Sequence, residues 1–294
     1  MLAPIVIFAF NRPENILEMI DSLSKCELSG ESQLYVYIDG PRSELDSIKC
    51  NDVREIIESY SHHFKEVQIT QRKLNFGLAK SLISGVSDVF KNHDSVIVLE
   101  DDLVFTNNFL VYMNEAISYY KNNKRIGSIS GFSTKMSGII DNKEDVYTHP
   151  RACSWGWATW KDRWNSCDWE YRPRTLLETM ALRNMTRKAG QDVYRMFLHQ
   201  LNGKINSWAI RWTIHHLRNN LHVIYPYKSK VRNIGFGVDA THCKGTNPFP
   251  ILLDESNNYS FIFSKNIEYN KKNISKVNYY HSNFYKLLFK LGLK

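Results

Sequence analysis

The chain has 294 residues, 43% of them hydrophobic, with 38 Lys and Arg against 30 Asp and Glu for a net charge of +8. That is room for one large α/β domain or two small ones, in a composition ordinary for a globular protein. The basic excess suits a phosphate-rich ligand or an anionic membrane surface; no Lys/Arg block or nucleic-acid motif concentrates it, which excludes nucleic acid as an expected partner. Five cysteines (Cys26, Cys50, Cys153, Cys167, Cys243) are scattered without a CxxC pair. The pattern argues against a disulfide framework or a zinc site and fits a reducing cytoplasm.

Residues 2–10 are apolar but lack a basic leader, are too short to span a bilayer and run into Asn11-Arg12-Pro13. They read as a first buried strand over residues 5–10. A helix follows over 15–24, with Ile16, Leu17, Ile20 and Leu23 on one stripe. Residues 34–38 form a second strand ending in the turn signal Asp39-Gly40-Pro41-Arg42. Then come a helix over about 52–60, a short strand over 67–70 and a helix over 78–90. Strand–helix alternation predicts a parallel sheet with right-handed crossovers. Neither GxGxxG nor GxxxxGK[ST] occurs, which removes the best support for dinucleotide and P-loop readings.

The next stretch is Val96-Ile97-Val98-Leu99-Glu100-Asp101-Asp102. Four apolar residues in a row read as a central strand buried on both faces. The three acids at its carboxyl end lie where open α/β sheets bind ligands. Crowded carboxylates repel unless a cation sits among them, and Mg2+ or Mn2+ is the simplest hard cation for oxygen donors. An exposed acidic turn is the plain alternative. Arg12 and Asp39 end the first and second strands on the same edge. A guanidinium grips phosphate bidentately, and a carboxylate accepts from a nucleobase N–H.

Beyond residue 103 the alternation weakens. A helix is expected over 108–120, a strand over 126–131 and a polar loop over 133–147. Five of the seven tryptophans then fall within Trp155, Trp157, Trp160, Trp164 and Trp169. Most suit a core, while Trp155 or Trp157 offers an apolar wall for a sugar ring. Residues 176–201 read as largely helical and carry Asp192; Asn206 or Ser207 caps another helix; 223–226 is a short strand. Residues 229–242 read as a functional loop, in which His242 is either a ligand or an ordinary loop histidine. The end of the sequence carries Lys286, Lys290 and Lys294 at i, i+4, i+8 among leucines and aromatics. Residues 279–294 thus read as a basic amphipathic helix for an anionic membrane surface, or as a terminal helix docked on the core.

Taken together these motifs resemble inverting GT-A-fold glycosyltransferases, particularly N-acetylglucosaminyltransferase I and bacterial sugar transferases, over residues 3–243. The resemblance implies an α/β, Rossmann-like, mostly parallel sheet flanked by helices, with an acceptor-binding second half. It implies one domain over 1–245, made of a nucleotide-binding half (1–103) and an acceptor half (104–245), with an extension over 246–294. Phe10, Asn11 and Arg12 match the nucleotide-contacting segment, and Asp39-Gly40 the uracil-binding pair. Asn75, Gly77 and Lys80 lie in the segment that packs on the nucleotide-sugar. Glu100-Asp101-Asp102 matches the Glu-Asp-Asp form of the DxD motif, with Asp102 as ligand of Mn2+ or Mg2+ and the other two facing sugar and ribose. Ser229 and Lys230 open the loop that closes over the nucleotide. Trp155, Trp157 and Trp208 fall to the acceptor.

The resemblance further implies transfer of a hexosyl or N-acetylhexosaminyl group, with inversion, from a nucleotide-sugar such as a UDP-sugar. The acceptor would be a glycan or lipid-linked hydroxyl in bacterial surface-polysaccharide synthesis, with the protein cytoplasmic and peripheral on the inner membrane face. One position departs: the family's catalytic base is an Asp just before a Trp at a helix start, and Asn206-Ser207-Trp208 has no carboxylate there. Neither an amide nor a hydroxyl is a useful base near neutral pH. Asp192 and Asp239 are the candidates in its place. The alternatives are a sugar nucleotidyltransferase, for which Phe10-Asn11-Arg12-Pro13 is a poor phosphate loop, and a non-catalytic nucleotide-sugar-binding protein.

Overall fold

The apolar runs of the first hundred residues form four parallel strands, β1 (Ile5–Ala9), β2 (Gln33–Ile38), β3 (Glu66–Gln71) and β4 (Ser95–Glu100). The structure is a computed structural model and describes residues 1–136, 143–236 and 247–293. Between the strands run α1 (Pro13–Ser24), α2 (Glu44–Ser59) and α3 (Leu78–Val89). Helix α1 opens on Pro13, whose fixed φ and missing N–H suit a first turn. Helix α2 starts at Glu44 rather than near 52, because the Ser43 side chain accepts from Asp46 N and caps it. The turn signal at 39–42 thus leads directly into the helix.

The second half contains β5 (Leu103–Phe105), α4 (Phe109–Tyr120), β6 (Ile126–Ser130), β7 (Val146–His149), β8 (Trp157–Trp160) and α5 (Lys161–Asn165). It continues with α6 (Leu176–Thr186), α7 (Val193–Leu201), α8 (Trp208–Arg218), β9 (His222–Pro226) and β10 (Val231–Asn233). Helices α9 (Lys271–Tyr280) and α10 (Asn283–Lys290) end the described chain.

Eight strands make one sheet in the order β3-β2-β1-β4-β8-β6-β9-β7. Strand β8 is antiparallel to both β4 and β6, and β7 is antiparallel to β9, so the other six strands share one direction. The architecture is mixed α/β, a mostly parallel sheet flanked by helices, as expected. Alternate residues feed two core layers. Ile5, Ile7, Ile97 and Leu99 pack toward α1, α2 and α4. Val6, Phe8, Val96 and Val98 pack toward α3 and α8. Strand β4 is buried on both faces, as its apolar run requires.

Three expectations change. The span 153–160 carries β8, whose buried Trp157 and Trp160 join the core, so Trp157 is no sugar wall. Strand β7 begins inside the segment expected to be a loop, of which 137–142 lie outside the described residues. The helical span 176–201 is two helices, broken at Gly190, whose φ of 132° no L side chain adopts without strain. Residues beyond 246 pack on the body: Phe249, Ile251, Phe261 and Phe263 lie against the first core layer and Ile267 is within it. The expected boundary near 245 falls outside the described residues.

Candidate active site

Strands β2, β1 and β4 end on one edge. Phe8 stands opposite Glu100, and Asp39 N donates to Ala9 O at 2.9 Å. The turns after these strands carry Asp39, Phe10-Asn11-Arg12 and Glu100-Asp101-Asp102, so the register alone gathers the residues singled out in sequence.

Arg12 bridges the acids. Its guanidinium takes both carboxylate oxygens of Asp101, through Nη2 and through Nε at 3.3 Å, and donates from Nη1 to Asp102 Oδ2 at 3.2 Å. Burial lowers the Arg12 pKa, but Asp101 and Asp102 outweigh it and hold the group above its ordinary value. Asp101 is raised, first by burial and then by Asp102, with Arg12 pulling it back. Glu100 is raised by burial and by both aspartates, against Arg12 and a hydrogen bond from the Trp208 side chain. Arg12 holds the two aspartates and makes no hydrogen bond to Glu100 among the described residues.

A second layer closes on Asp102. Strand β10 pairs antiparallel with β5, setting Asn233 opposite Leu103. From there Asn233 Nδ2 donates to Asp102 Oδ1 at 3.3 Å, and Ile234 N donates to the Asp102 carbonyl at 2.8 Å. Asn233 Oδ1 in turn accepts from Gly235 N at 2.8 Å. Gly235 lies so close that any Cβ there would strike the Asp102 carboxylate. Asn233 and Gly235 were visible in sequence only as members of a loop. Their signal is a glycine two residues beyond a short strand, at a spot where the backbone must approach an acid.

The donors fit a hard divalent cation in one respect. Asp102 is a carboxylate backed by a glycine, with oxygen chemistry that suits Mg2+ or Mn2+ held by one carboxylate and substrate phosphates. Among the described residues no three His, Cys, Asp or Glu side chains are arranged as a complete metal cage. Here the positive charge beside Asp102 is the Arg12 guanidinium.

Asp39 is a buried platform. Its Oδ1 accepts from Gly40 N at 3.0 Å and Phe76 N at 2.9 Å, and Oδ2 accepts from Gly77 N at 2.9 Å. Asn75 Nδ2 donates to Gly40 O at 2.8 Å, and a Cβ on Gly40 would run into the Leu74 backbone. Asp39, Gly40, Asn75 and Gly77 therefore lock two loops together. Gly77 caps α3 at φ 72°, and Lys80 Nζ sits 4.3 Å from the Phe76 ring centre.

Other expected residues are committed elsewhere. Asn11 donates to Asp46 at the start of α2, and the Phe10 ring carries the Arg42 guanidinium at 4.7 Å. Ser229 is fully buried, its Oγ accepting from Ser133 N and donating to Val231 O. Lys230 points into the protein rather than toward a nucleotide: its buried ammonium pairs with Asp254 and lies 4.6 Å from the Phe261 ring centre. Trp157 and Trp208 are 1% and 3% exposed and stack at 5.0 Å, so neither is an acceptor wall. Trp155 is half-buried, with Phe132, Phe236 and Phe249 against it edge to face.

Asp192 does not stand free as a base. It is buried, pairs with Arg151 at 2.7 Å and Lys286 at 3.0 Å, and has His281 at 3.9 Å. Burial would raise its pKa, but Arg151 foremost, with Lys286, prevails and holds it well below the usual carboxylate range. Asp239, with His242, lies outside the described residues. At the start of α8, the Ser207 hydroxyl accepts from Ile210 N as the cap, and Asn206 accepts from Arg211.

No protein-family profile matches the chain, and no curated protein matches it. Solved structures do. One is S. aureus TarS 1-349, at 12% identity and a TM-score of 0.45, over 80% of this chain and 61% of that one; the same fragment is also known in complex with UDP-GlcNAc. Another is the mannosyltransferase PcManGT from Pyrobaculum calidifontis in complex with GDP-Man and Mn2+, at 11% identity and 0.41, over 74% and 69%. A third is a putative glucose-1-phosphate thymidylyltransferase from Bacillus anthracis, at 10% identity and 0.42, over 79% and 89%. The chain thus spans less than two thirds of the TarS fragment's length.

Proposed function

We propose that this chain is a GT-A glycosyltransferase that moves a sugar from a nucleoside-diphosphate sugar, such as a UDP-sugar, to a hydroxyl of a glycan or lipid-linked acceptor. The observation that carries the reading is the Arg12–Asp101–Asp102 cluster on the carboxyl edge of β1 and β4, beside the Asp39 platform and under Gly235. A cluster that balances two acids with one arginine is suited to exchange partners when a diphosphate arrives with its cation.

In this reading Arg12 turns from the aspartates to the donor's phosphates, and Asp102 is left to hold a divalent cation. When bound, that cation supplies charge neutralisation for the departing diphosphate. The Asp39-ordered loop of 75–77 packs against the nucleotide, and the exposed part of Trp155 meets a sugar. Of the three acids, Glu100 is the one outside the Arg12 clamp, and it meets Trp208 at the first residue of α8. We assign it to accept the acceptor hydroxyl's proton, after releasing to solvent the proton that burial and the neighbouring aspartates hold on it, once a cation beside Asp102 offsets those aspartates. The oxygen then attacks the anomeric carbon, the bond from that carbon to the diphosphate oxygen breaks, and the electron pair leaves with the nucleotide. Attack from the face opposite the leaving group would invert the centre.

The test is calorimetric titration of nucleoside diphosphates with Mn2+ and then with chelator, followed by turnover of a panel of nucleotide-sugars. Metal-dependent binding with turnover supports the transferase. Binding without turnover on any acceptor would leave a non-catalytic binder, and no binding by folded protein would overturn the reading.

A further inference from the structure

Helix α10 leaves part of its apolar surface uncovered. Its inward side carries Tyr285, which is buried and donates from its hydroxyl to Pro248 O at 2.6 Å, and Lys286, whose ammonium pairs with buried Asp192 at 3.0 Å. Its outward side carries Phe284, Leu287 and Leu291, at 62%, 55% and 62% exposure. These fall at i, i+3 and i+7, one stripe of a helix, with Leu291 as its C-cap; Leu293, at 67%, lies past Gly292, whose φ of 68° takes the chain out of the helix. Its inward apolar side is made by Tyr285 with the partly buried Leu288 and Phe289, so the outward stripe is a second one that the fold leaves uncovered. Here an ion pair fixes the helix so that this second stripe faces out.

Charge identifies what that stripe meets. From residue 269 to 294 the sequence holds no acid, and besides Lys286, which Asp192 takes, it has Lys271, Lys272, Lys276, Lys290 and Lys294. Lys290 is exposed beside the stripe, and the neighbouring end of α6 adds Arg187 and Lys188, also exposed, with Lys188 O tied to Asn278 at 3.1 Å. Two copies meeting through this face would bring like charges together. An anionic lipid surface satisfies both the apolar stripe and the cations. No helix among the described residues is long and apolar enough to cross a membrane, so the contact is one of lying on the surface.

We infer that the outward face of α10, with Phe284, Leu287 and Leu291 flanked by lysine, docks the protein on an anionic bilayer and is held ready for it by the Asp192–Lys286 pair. The inference stands on the helix and does not depend on the glycosyl-transfer reading. The experiment is co-sedimentation of the full chain with phosphatidylcholine vesicles and with phosphatidylcholine–phosphatidylglycerol vesicles. Binding is expected to the second and not the first, and to weaken with salt. Phe284→Ser/Leu287→Ser, both exposed and therefore tolerated by the fold, should lower partitioning by about tenfold or more; Lys290→Glu should lower it further at low salt. Nucleotide affinity, measured on the same double variant, should be unchanged, which keeps failure here distinct from failure of the proposed activity. Absence of binding to anionic vesicles, unchanged binding by the double variant, or an apolar face consumed by self-association in sedimentation velocity would each overturn the inference.

Discussion

Arg12 Nη1 and Asp102 Oδ2 stand 3.2 Å apart, and the same guanidinium holds both oxygens of Asp101. One cation therefore offsets two buried acids. Arg12→Met removes it and leaves the acids unpaired. The expected cost is about 2 kcal/mol, below the 3–5 of a fully buried pair because Arg12 keeps some contact with water. Added Mn2+ should then raise the melting temperature of Arg12→Met more than that of the wild type, since the ion replaces the missing charge. Equal shifts, or none, would remove Asp102 as a metal ligand.

Gly235→Ala tests the same carboxylate from the other side. The new methyl group collides with Asp102, so metal-dependent nucleotide binding should fall by about tenfold or more while the melting temperature changes little. Unchanged affinity would mean that the 233–235 segment moves away when ligand binds.

Asp39→Ala should destabilise the fold by about 2–4 kcal/mol, because three backbone N–H groups of residues 40, 76 and 77 lose their acceptor. Hydrogen exchange should quicken at Phe76 and Gly77 before it does in β4. A variant with full stability and weakened nucleotide binding would assign Asp39 to the ligand alone.

Asp192→Asn separates a structural acid from a catalytic one. It breaks the pairs with Arg151 and Lys286, so the melting temperature should fall, while turnover per folded molecule stays near that of the wild type. Glu100→Gln should do the opposite, with stability kept and kcat reduced by about a hundredfold or more. Reversal of these two results would return Asp192 to the role of base.

Acid should unfold this protein early. Burial lowers His149 and His216 to about 3, and His215 and His222 to about 4. The unfolded chain binds these protons near the ordinary value of about 6.5, so it holds more protons than the folded one below that pH. Their stabilising contribution is complete above about 6.5 and is lost toward pH 4, at up to about 1.4 kcal/mol per unit for each group. Glu100 and Asp101, raised in the fold, act with the opposite sign but are two groups against four. Melting temperature should therefore drop steeply from pH 6.5 to pH 5, and His222→Phe, keeping the ring on Tyr269, should flatten the slope. A melting temperature that rises on acidification would show that the acids dominate.

The first half of the chain was legible because its strands are apolar runs closed by turn residues, so β1, β2 and β4 and the acids at their ends followed from period and position. Asp192 misled because a lone acid in a helical span looks available; its cationic partners, Arg151 and Lys286, come from residues distant in sequence. Lys230 misled in the same way, its partner Asp254 lying beyond the loop that suggested a phosphate contact. Trp157 read as a wall because a glycine precedes it, whereas Gly156, at φ 62°, turns the chain into β8 and sends that ring inward. Local pattern reports an element; burial at a given position depends on what the sheet order brings against it.

The placement of β8 between β4 and β6 also dictates how synthesis and folding must interleave. Strands β1 to β4 can pair as they emerge, but β6, made before β8, has no neighbour on the β4 side until residues 157–160 arrive. The two halves of the sheet are joined by a late keystone, so a nascent chain stalled before Trp157 would carry an open edge on β4. Substitutions in β8 should therefore be felt as lost yield during production more than as altered chemistry in molecules that mature.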